Sequence, residues 1–182
     1  MAKVLESLIA KGRRATRPKD QKETAFGLAD LSTHEDLLER IVQKGGVKSL
    51  LVILTRSIEV DAQRFAALAL ANLASAPYNR TRIATEGTIP VLIDYINEAE
   101  NDIIGRQYCA MAVGNLAAEP ENHQEIVLSQ GIPALIALIK SEDIEGGRYA
   151  AFALANLAAN GNMLFLQFLL SPLLSRLPST DC

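Results

Sequence analysis

The residues Ala-Leu-Ala-Asn-Leu-Ala occupy positions 69–74 and again positions 153–158, and the related Ala-Val-Gly-Asn-Leu-Ala occupies 112–117. Asparagine is unfavourable inside a helix because its side-chain amide competes for backbone hydrogen bonds. Nevertheless Asn72, Asn115 and Asn156 recur after 43 and 41 residues, each in an alanine- and leucine-rich segment. This spacing predicts a helical repeat in which the amide acts outside its own helix.

Two further phrases recur with the same period. "GTIPVLIDYI" and "GIPALIALI" place Pro90 and Pro133 at the start of a helix, where the N–H group that proline lacks would have no partner. "APYNRTRIATEG" and "EPENHQEIVLSQG" align at three pairs of residues: Pro77 and Pro120, Asn79 and Asn122, Ile83 and Ile126. Each unit is therefore predicted to hold a short first helix, a second helix and a long third helix.

The third helices are predicted over about 62–75, 104–118 and 146–159. The short first helices are expected to follow Asn79 and Asn122, and the second helices to begin at Pro90 and Pro133. Glycines are expected to break the segment before each second helix, namely Gly46, Gly87 and Gly131.

Composition supports a packed helical core and excludes several classes of protein. Of the 182 residues, 49% are hydrophobic and only 5% aromatic, so the core must consist of alanine, leucine, isoleucine and valine. Two cysteines and two histidines make neither a disulfide framework nor a zinc site, which predicts no cofactor and a reducing compartment. No secretory signal and no membrane helix is predicted, and no nucleophile stands in register with a histidine. We expect a soluble cytoplasmic protein that is not an enzyme.

The pattern N-x-x-x-I-x-x-x-G-x-I-P-x-L-I-x-L-I, followed by A-x-x-A-L-x-N-L-A, resembles the armadillo repeat, the three-helix unit of β-catenin and importin-α. The wording "VDAQRFAALALANLA" (60–74) is more similar to the vacuolar-adaptor and β-catenin-like branch than to importin-α. The resemblance implies an all-α, right-handed armadillo-type superhelix of about four three-helix repeats along 1–182. The expected parts are second and third helices in 3–32, repeats at 33–75, 79–118 and 122–159, and a degenerate cap or truncated repeat at 160–182.

The resemblance also implies that the third helices line a concave groove and that Asn72, Asn115 and Asn156 grip a peptide backbone there. A carboxamide offers two donors and an acceptor, which suit the C=O and N–H groups of an extended chain. Residues four and eight positions before each asparagine share its helix face. The predicted groove therefore has three rows: Lys22, Arg64, Gln107 and Arg148; Phe26, Leu68, Met111 and Phe152; Asp30, Asn72, Asn115 and Asn156.

Other interpretations of these rows stay open. An asparagine can bond a carbonyl of its own or a neighbouring repeat, and the apolar row can belong to the core. The chain contains no tryptophan, which importin-α carries in the matching row, so recognition of a nuclear-localisation peptide is disfavoured.

The predicted function is a protein–protein interaction scaffold or adaptor that holds an extended partner segment. Residues 1–60 carry 11 basic and 8 acidic residues, and the remainder carries 7 and 13, so an acidic partner segment would suit the amino-terminal end. One alternative is docking to an anionic membrane or partner by the basic loop 11–22, through Arg13, Arg14, Arg17 and Lys19. Another is assembly or homo-oligomerisation through the apolar stretch 163–174, with Leu164, Phe165, Phe168 and Leu169. The net charge of −3 argues against nucleic acid.

Overall fold

The computed structural model describes residues 2–99 and 101–159, and this part of the chain is built from helices joined by short turns. Eleven α-helices follow one another, with a 3₁₀ turn at Pro120–Asn122 before the ninth. Their bounds are α1 Ala2–Arg14, α2 Pro18–Leu31, α3 Glu35–Gln43, α4 Gly46–Arg56, α5 Val60–Ser75, α6 Pro77–Thr85, α7 Thr88–Glu98, α8 Ile103–Leu116, α9 His123–Leu128, α10 Gly131–Lys140 and α11 Ile144–Ala159. The predicted all-α fold is confirmed.

The helices stack by their position in the repeat. The third helices α2, α5, α8 and α11 form one continuous layer, in which α5 packs between α2 and α8, and α8 packs between α5 and α11. The second helices α1, α4, α7 and α10 form a layer behind them, each against its own third helix. Because every repeat has the same orientation in this stack, equivalent turns of successive repeats lie along the same edge of the molecule.

Small side chains allow the third helices to approach closely. Alanines recur on the buried faces of α5 and α8, and the larger core side chains come from leucine, isoleucine and valine. The fully buried members include Ala62, Ala66, Leu70, Leu73, Ala112 and Val113. The core is thus shared between adjacent repeats, and a single repeat could not bury its apolar face alone.

The turn before each second helix differs in detail from the prediction. The left-handed residue of this turn is Gly45 (φ 80°), Gly87 (φ 79°) and Gln130 (φ 61°), so only Gly87 of the three predicted glycines has this role. Gly46 and Gly131 instead are the first residues of α4 and α10, where a Cβ atom would crowd the carbonyl oxygen five residues earlier. The second helices therefore begin two residues before Pro90 and Pro133.

The first helices are anchored to the third helices that precede them. Asn79 and Asn122 are buried, and each donates from Nδ2 to a carbonyl near the end of the third helix: Leu73 O at 3.1 Å and Leu116 O at 3.0 Å. These bonds satisfy carbonyls that a helix end leaves without partners. The helix α6 begins at Pro77, two residues before Asn79, because proline is suited to the first helical turn.

Candidate functional site

The predicted asparagines connect each third helix to the one before it. Asn115 Nδ2 donates to Ala71 O at 3.0 Å, and Asn156 Nδ2 donates to Gly114 O at 3.0 Å. Asn72 Nδ2 donates to Ser32 Oγ at 3.1 Å, and this hydroxyl donates to Ala29 O at 2.7 Å. In all three cases the carbonyl that is reached, directly or through Ser32 Oγ, belongs to the residue just before Asp30, Asn72 or Asn115 of the preceding repeat. The amides therefore link neighbouring repeats, which is one of the roles that the sequence left open.

The row that begins with Lys22 makes the matching contact at the other end of the third helices. Each of its first three members contacts an aspartate at the start of the next third helix. The pairs are Lys22 Nζ to Asp61 Oδ2 at 2.5 Å, Arg64 Nε to Asp102 Oδ1 at 2.6 Å, and Gln107 Nε2 to Asp143 Oδ1 at 2.7 Å. Each interface between third helices is therefore held at two points, one near each end.

Ion pairing changes the acid–base properties of these groups. The hydrogen bond from Lys22, together with its charge, lowers the pKa of the Asp61 carboxyl. Tyr95 donates its hydroxyl to Asp102 Oδ2 at 2.7 Å, and burial together with this bond raises the pKa of the Tyr95 hydroxyl. Asp102 is buried, and its two carboxylate oxygens accept from Arg64 and Tyr95.

The asparagines keep an accessible side despite these bonds. Asn72, Asn115 and Asn156 are half-buried, and the bonds to the preceding helix use one N–H of each amide. The Oδ1 atoms of Asn72 and Asn115 accept no hydrogen bond from the described residues. Asp30, at the matching position of the first third helix α2, is exposed, and its carboxylate cannot donate the bond that the asparagines make.

An open cleft of ≈470 Å³ lies where α8 and α11 meet on the third-helix face. Four of its lining residues are predicted groove residues: Met111, Asn115, Arg148 and Phe152. Ser75, Glu145 and Tyr149 complete the lining. The cleft thus combines apolar walls with a half-buried amide and a charged rim, which is typical of sites that hold a side chain and its flanking backbone.

A second cleft of ≈470 Å³ lies at the amino-terminal end of the same face. It is lined by Phe26 and Phe65, whose rings meet edge to face with centroids 5.2 Å apart, and by Lys19, Lys22 and Glu23. Phe26 is exposed, whereas Leu68 and Met111 of the same row are half-buried against the core. The apolar row is therefore open at both ends of the face and partly covered between them.

Two further sets of residues on this face were not predicted from the sequence. An aromatic residue follows the row position in three consecutive repeats, as Phe65, Tyr108 and Tyr149, and all three are half-buried. Their spacing of 43 and 41 residues was a visible signal. The aspartates Asp61, Asp102 and Asp143 recur every 41 residues. Both sets lie outside the four-residue spacing from which the groove was predicted.

Three of the four predicted basic residues of the loop 11–22 have polar partners within the protein. Arg13 Nη2 donates to Lys44 O at 3.0 Å, and Arg17 Nε contacts Asp20 Oδ2 at 2.6 Å. Lys19 Nζ lies 3.9 Å from Glu23, and Arg14 is exposed with no ion-pair partner among the described residues. The apolar stretch 163–174, with Leu164, Phe165, Phe168 and Leu169, and the predicted cap 160–182 lie outside the described residues.

The side chains of Cys109 and His123 are enclosed. Cys109 is fully buried, and burial raises the pKa of its thiol. His123 is buried with Nε2 2.7 Å from Ala117 O. Within 2–99 and 101–159, no three His, Cys, Asp or Glu side chains are grouped to hold a metal ion, and no helix has the length and apolar character to cross a membrane.

Several engineered and designed proteins of known structure have a fold similar to that of this chain. No protein-family model and no curated protein matches the chain. One engineered protein of known crystal structure is 30% identical, with a TM-score of 0.80 over 97% of this chain and 73% of its own. A second is 32% identical, with a TM-score of 0.79 over 97% of this chain and 44% of its own.

Two designed proteins show the same fold. A designed armadillo repeat protein in complex with the peptide (KR)4 is 17% identical and has a TM-score of 0.80, over 97% of this chain and 76% of its own. Computationally designed armadillo repeat proteins for modular peptide recognition are 20% identical with the same TM-score and coverage. At sequence identities of 17% and 20%, these two similarities show the fold and say nothing of the function.

Proposed function

Because this chain is an armadillo-like repeat protein, we propose that it is a non-catalytic scaffold or adaptor that binds an extended segment of a partner protein along its third-helix face. A solenoid presents a long continuous surface with no enclosed cavity, which suits a partner of extended shape. We place this activity in the cytoplasm, where the buried thiol of Cys109 would stay reduced.

The observation that carries this proposal is the cleft between α8 and α11. Met111, Asn115, Arg148 and Phe152 come from two repeats and lie around one opening. The apolar pair would hold a partner side chain. The Asn115 carboxamide, already fixed by its bond to Ala71 O, would meet the partner backbone with Oδ1 and its second N–H.

The repeat spacing agrees with this mode of binding. Packed helices are about 10 Å apart, and an extended chain covers this distance in about three residues. One oriented carboxamide per repeat would therefore contact about every third residue of the partner, largely irrespective of its sequence. The bond to the preceding helix favours this role, because an amide that is already oriented loses less freedom on binding.

The amino-terminal end of the face suits a particular pair of side chains of the partner. At the amino-terminal end, the Phe26 and Phe65 rings lie beside Lys19, whose side chain is largely exposed. We place a large apolar residue of the partner with a neighbouring acidic residue there. Lys22 and Arg64 are already paired with Asp61 and Asp102, so they would contribute less to this acidic preference than the sequence predicted.

The experiment uses peptides selected from a random phage-displayed library on the whole protein. Selected peptides would be synthesised, and their dissociation constants measured by fluorescence anisotropy. We expect Phe152→Ala to weaken binding at least tenfold. The matched control is Tyr78→Ala, which removes an exposed aromatic side chain from the first helix α6.

A second variant tests the asparagines. Asn72→Ala, Asn115→Ala and Asn156→Ala together should weaken binding further, provided that circular dichroism shows the helices intact. If the selected peptides bind this folded triple variant and Phe152→Ala as tightly as the wild type, the groove proposal is wrong. Binding lost on removal of 163–182 or on neutralising Arg13, Arg14 and Arg17 would support assembly through the tail or docking by the basic loop.

A further inference from the structure

Exposed aliphatic side chains collect along one edge of the solenoid, which shares only Glu145 with the two clefts of the third-helix face. This edge consists of residues 56–61, 94–99, 101–104 and 139–145, which form the turns between second and third helices and the adjoining helix ends. We name it the acidic edge. Of the eleven large apolar side chains that are exposed in the described residues, six lie on it: Ile58, Val60, Ile103, Ile104, Ile139 and Ile144.

Three of these residues repeat with the solenoid. Val60, Ile103 and Ile144 are the first residues of α5, α8 and α11, and Ile144 is 79% exposed. They form a row with one branched aliphatic side chain per repeat. The opposite edge, formed by the turns around the first helices, exposes only Tyr78 and Leu128 among the large apolar side chains of the described residues.

The same edge has a strong negative charge. Its residues include eight acidic and two basic side chains, although the whole chain has a net charge of only −3. Asp61, Asp102 and Glu145 are compensated by Lys22, Arg64 and Arg148. Four exposed carboxylates have no ion-pair partner among the described residues: Glu59, Asp94, Glu98 and Glu142.

A crevice at this edge combines the two features. Two adjoining openings of ≈350 and ≈410 Å³ share the residues Gln63, Tyr95, Glu98 and Ala99. Leu54, Val91 and Tyr95 form apolar walls, and Asp94 and Glu98 stand at the rim, four residues apart on α7. A lysine or arginine side chain is complementary to this crevice, because its aliphatic stem can pack against the walls while its charge meets the carboxylates.

We propose that the acidic edge docks a basic amphipathic helix of a partner protein, independently of the third-helix face. The repeats are about 10 Å apart, which is also the rise of seven residues of helix. A partner helix with apolar residues at i, i+7 and i+14 would therefore place one beside each of Val60, Ile103 and Ile144. Lysine and arginine residues on the flanks of that helix would meet the unpaired carboxylates. An anionic membrane surface would be repelled by the same charge.

The test uses the whole protein and a fluorescein-labelled leucine–lysine peptide with leucines at these positions. Fluorescence anisotropy would give the dissociation constant. We expect Asp94→Lys with Glu98→Lys to weaken binding at least tenfold, and Ile103→Ser with Ile144→Ser at least fivefold. The matched charge control is Glu35→Lys with Glu39→Lys, which reverses two exposed carboxylates at the same spacing on α3.

The outcomes separate docking from general attraction. The control pair and Phe152→Ala should each change affinity less than twofold, and a peptide with a central proline should bind at least tenfold more weakly. The proposal is overturned if the control pair weakens binding as much as the edge pair, or if the isoleucine substitutions have no effect. Edge-dependent binding of phosphatidylserine vesicles would also overturn it. Phe152 belongs to the cleft and not to the acidic edge. If the leucine–lysine peptide does not bind the acidic edge, peptide binding in the cleft is therefore not contradicted.

Discussion

The guanidinium of Arg64 on α5 lies 2.6 Å, from Nε to Oδ1, from the Asp102 carboxylate at the start of α8. Asp102 has a side-chain exposure of 9% and Arg64 of 32%, and the second Asp102 oxygen accepts from Tyr95. This pair therefore connects two repeats in a place where water competes poorly. The equivalent arginine of the last described repeat, Arg148, pairs with Glu145 of its own helix and is 72% exposed.

Removing the Arg64 side chain should destabilise the protein far more than removing the Arg148 side chain. Arg64→Ala leaves the buried Asp102 carboxylate with Tyr95 alone, and we expect a loss of about 1–3 kcal/mol after allowing for the partial exposure of Arg64. Arg148→Ala removes an exposed pair and should leave the free energy of unfolding nearly unchanged. Urea unfolding followed by circular dichroism measures both. Equal effects would mean that the Arg64 contact does not hold the repeats together.

The ion pair between Lys22 and Asp61 should make stability depend on acid pH. The hydrogen bond and charge of Lys22 lower the pKa of Asp61 in the folded state below its unfolded value of about 3.9. The contribution is therefore complete above about pH 4 and is lost as the pH falls through the lower folded-state pKa. The free-energy difference between wild type and Asp61→Asn should be constant from pH 7 to pH 5 and shrink below pH 4. A constant difference down to pH 2 would contradict this assignment.

Ser32 and Asn72 should be energetically coupled. Asn72 Nδ2 reaches the first repeat only through Ser32 Oγ, whereas Asn115 reaches its carbonyl directly. A double-mutant cycle with Ser32→Ala and Asn72→Ala should give a coupling of about 0.5–1.5 kcal/mol, the net value of one hydrogen bond. The cycle that combines Ser32→Ala with Asn115→Ala serves as control and should give none, because these residues share no partner.

The fold could be predicted because its signals repeat, and the contacts of the site could not because they cross repeats. The spacing of Asn72, Asn115 and Asn156 gave the length of the repeat, and the second and third helices begin within two residues of their predicted starts. The same amides also bond the preceding helix. This contact depends on the distance between neighbouring helices, which the period of the sequence does not specify. The aspartates Asp61, Asp102 and Asp143 recur visibly in the sequence, but their pairing with the Lys22 row could not be predicted for the same reason, since each lies 36–39 residues from its partner.

Gly105 and Gly147 should respond in opposite directions to replacement by alanine. A Cβ atom on Gly105 would lie 2.8 Å from the Tyr95 ring and collide with the Asp102 carboxylate, so Gly105→Ala would disrupt the contact with Arg64. We expect a loss of about 1–3 kcal/mol. A Cβ atom on Gly147 would have its nearest neighbour at 3.6 Å, and alanine there should stabilise helix α11 by about 0.5–1 kcal/mol. Thermal unfolding of both variants checks the contrast. Equal destabilisation of the two variants would show that steric crowding at Gly105 does not determine the loss of stability.

Gln130 should be improved by glycine. It adopts φ 61° at the position where the two preceding repeats have Gly45 and Gly87, and a side chain in the left-handed region costs about 1 kcal/mol. Gln130→Gly should therefore raise the free energy of unfolding by about 0.5–1 kcal/mol. The converse change, Gly87→Ala, should lower it by about 1 kcal/mol, and since no atom lies within 4 Å of the added Cβ, this cost arises from the backbone alone. Denaturant unfolding of the two variants gives both signs, and a destabilised Gln130→Gly would mean that the Gln130 side chain makes a contact worth more than the strain.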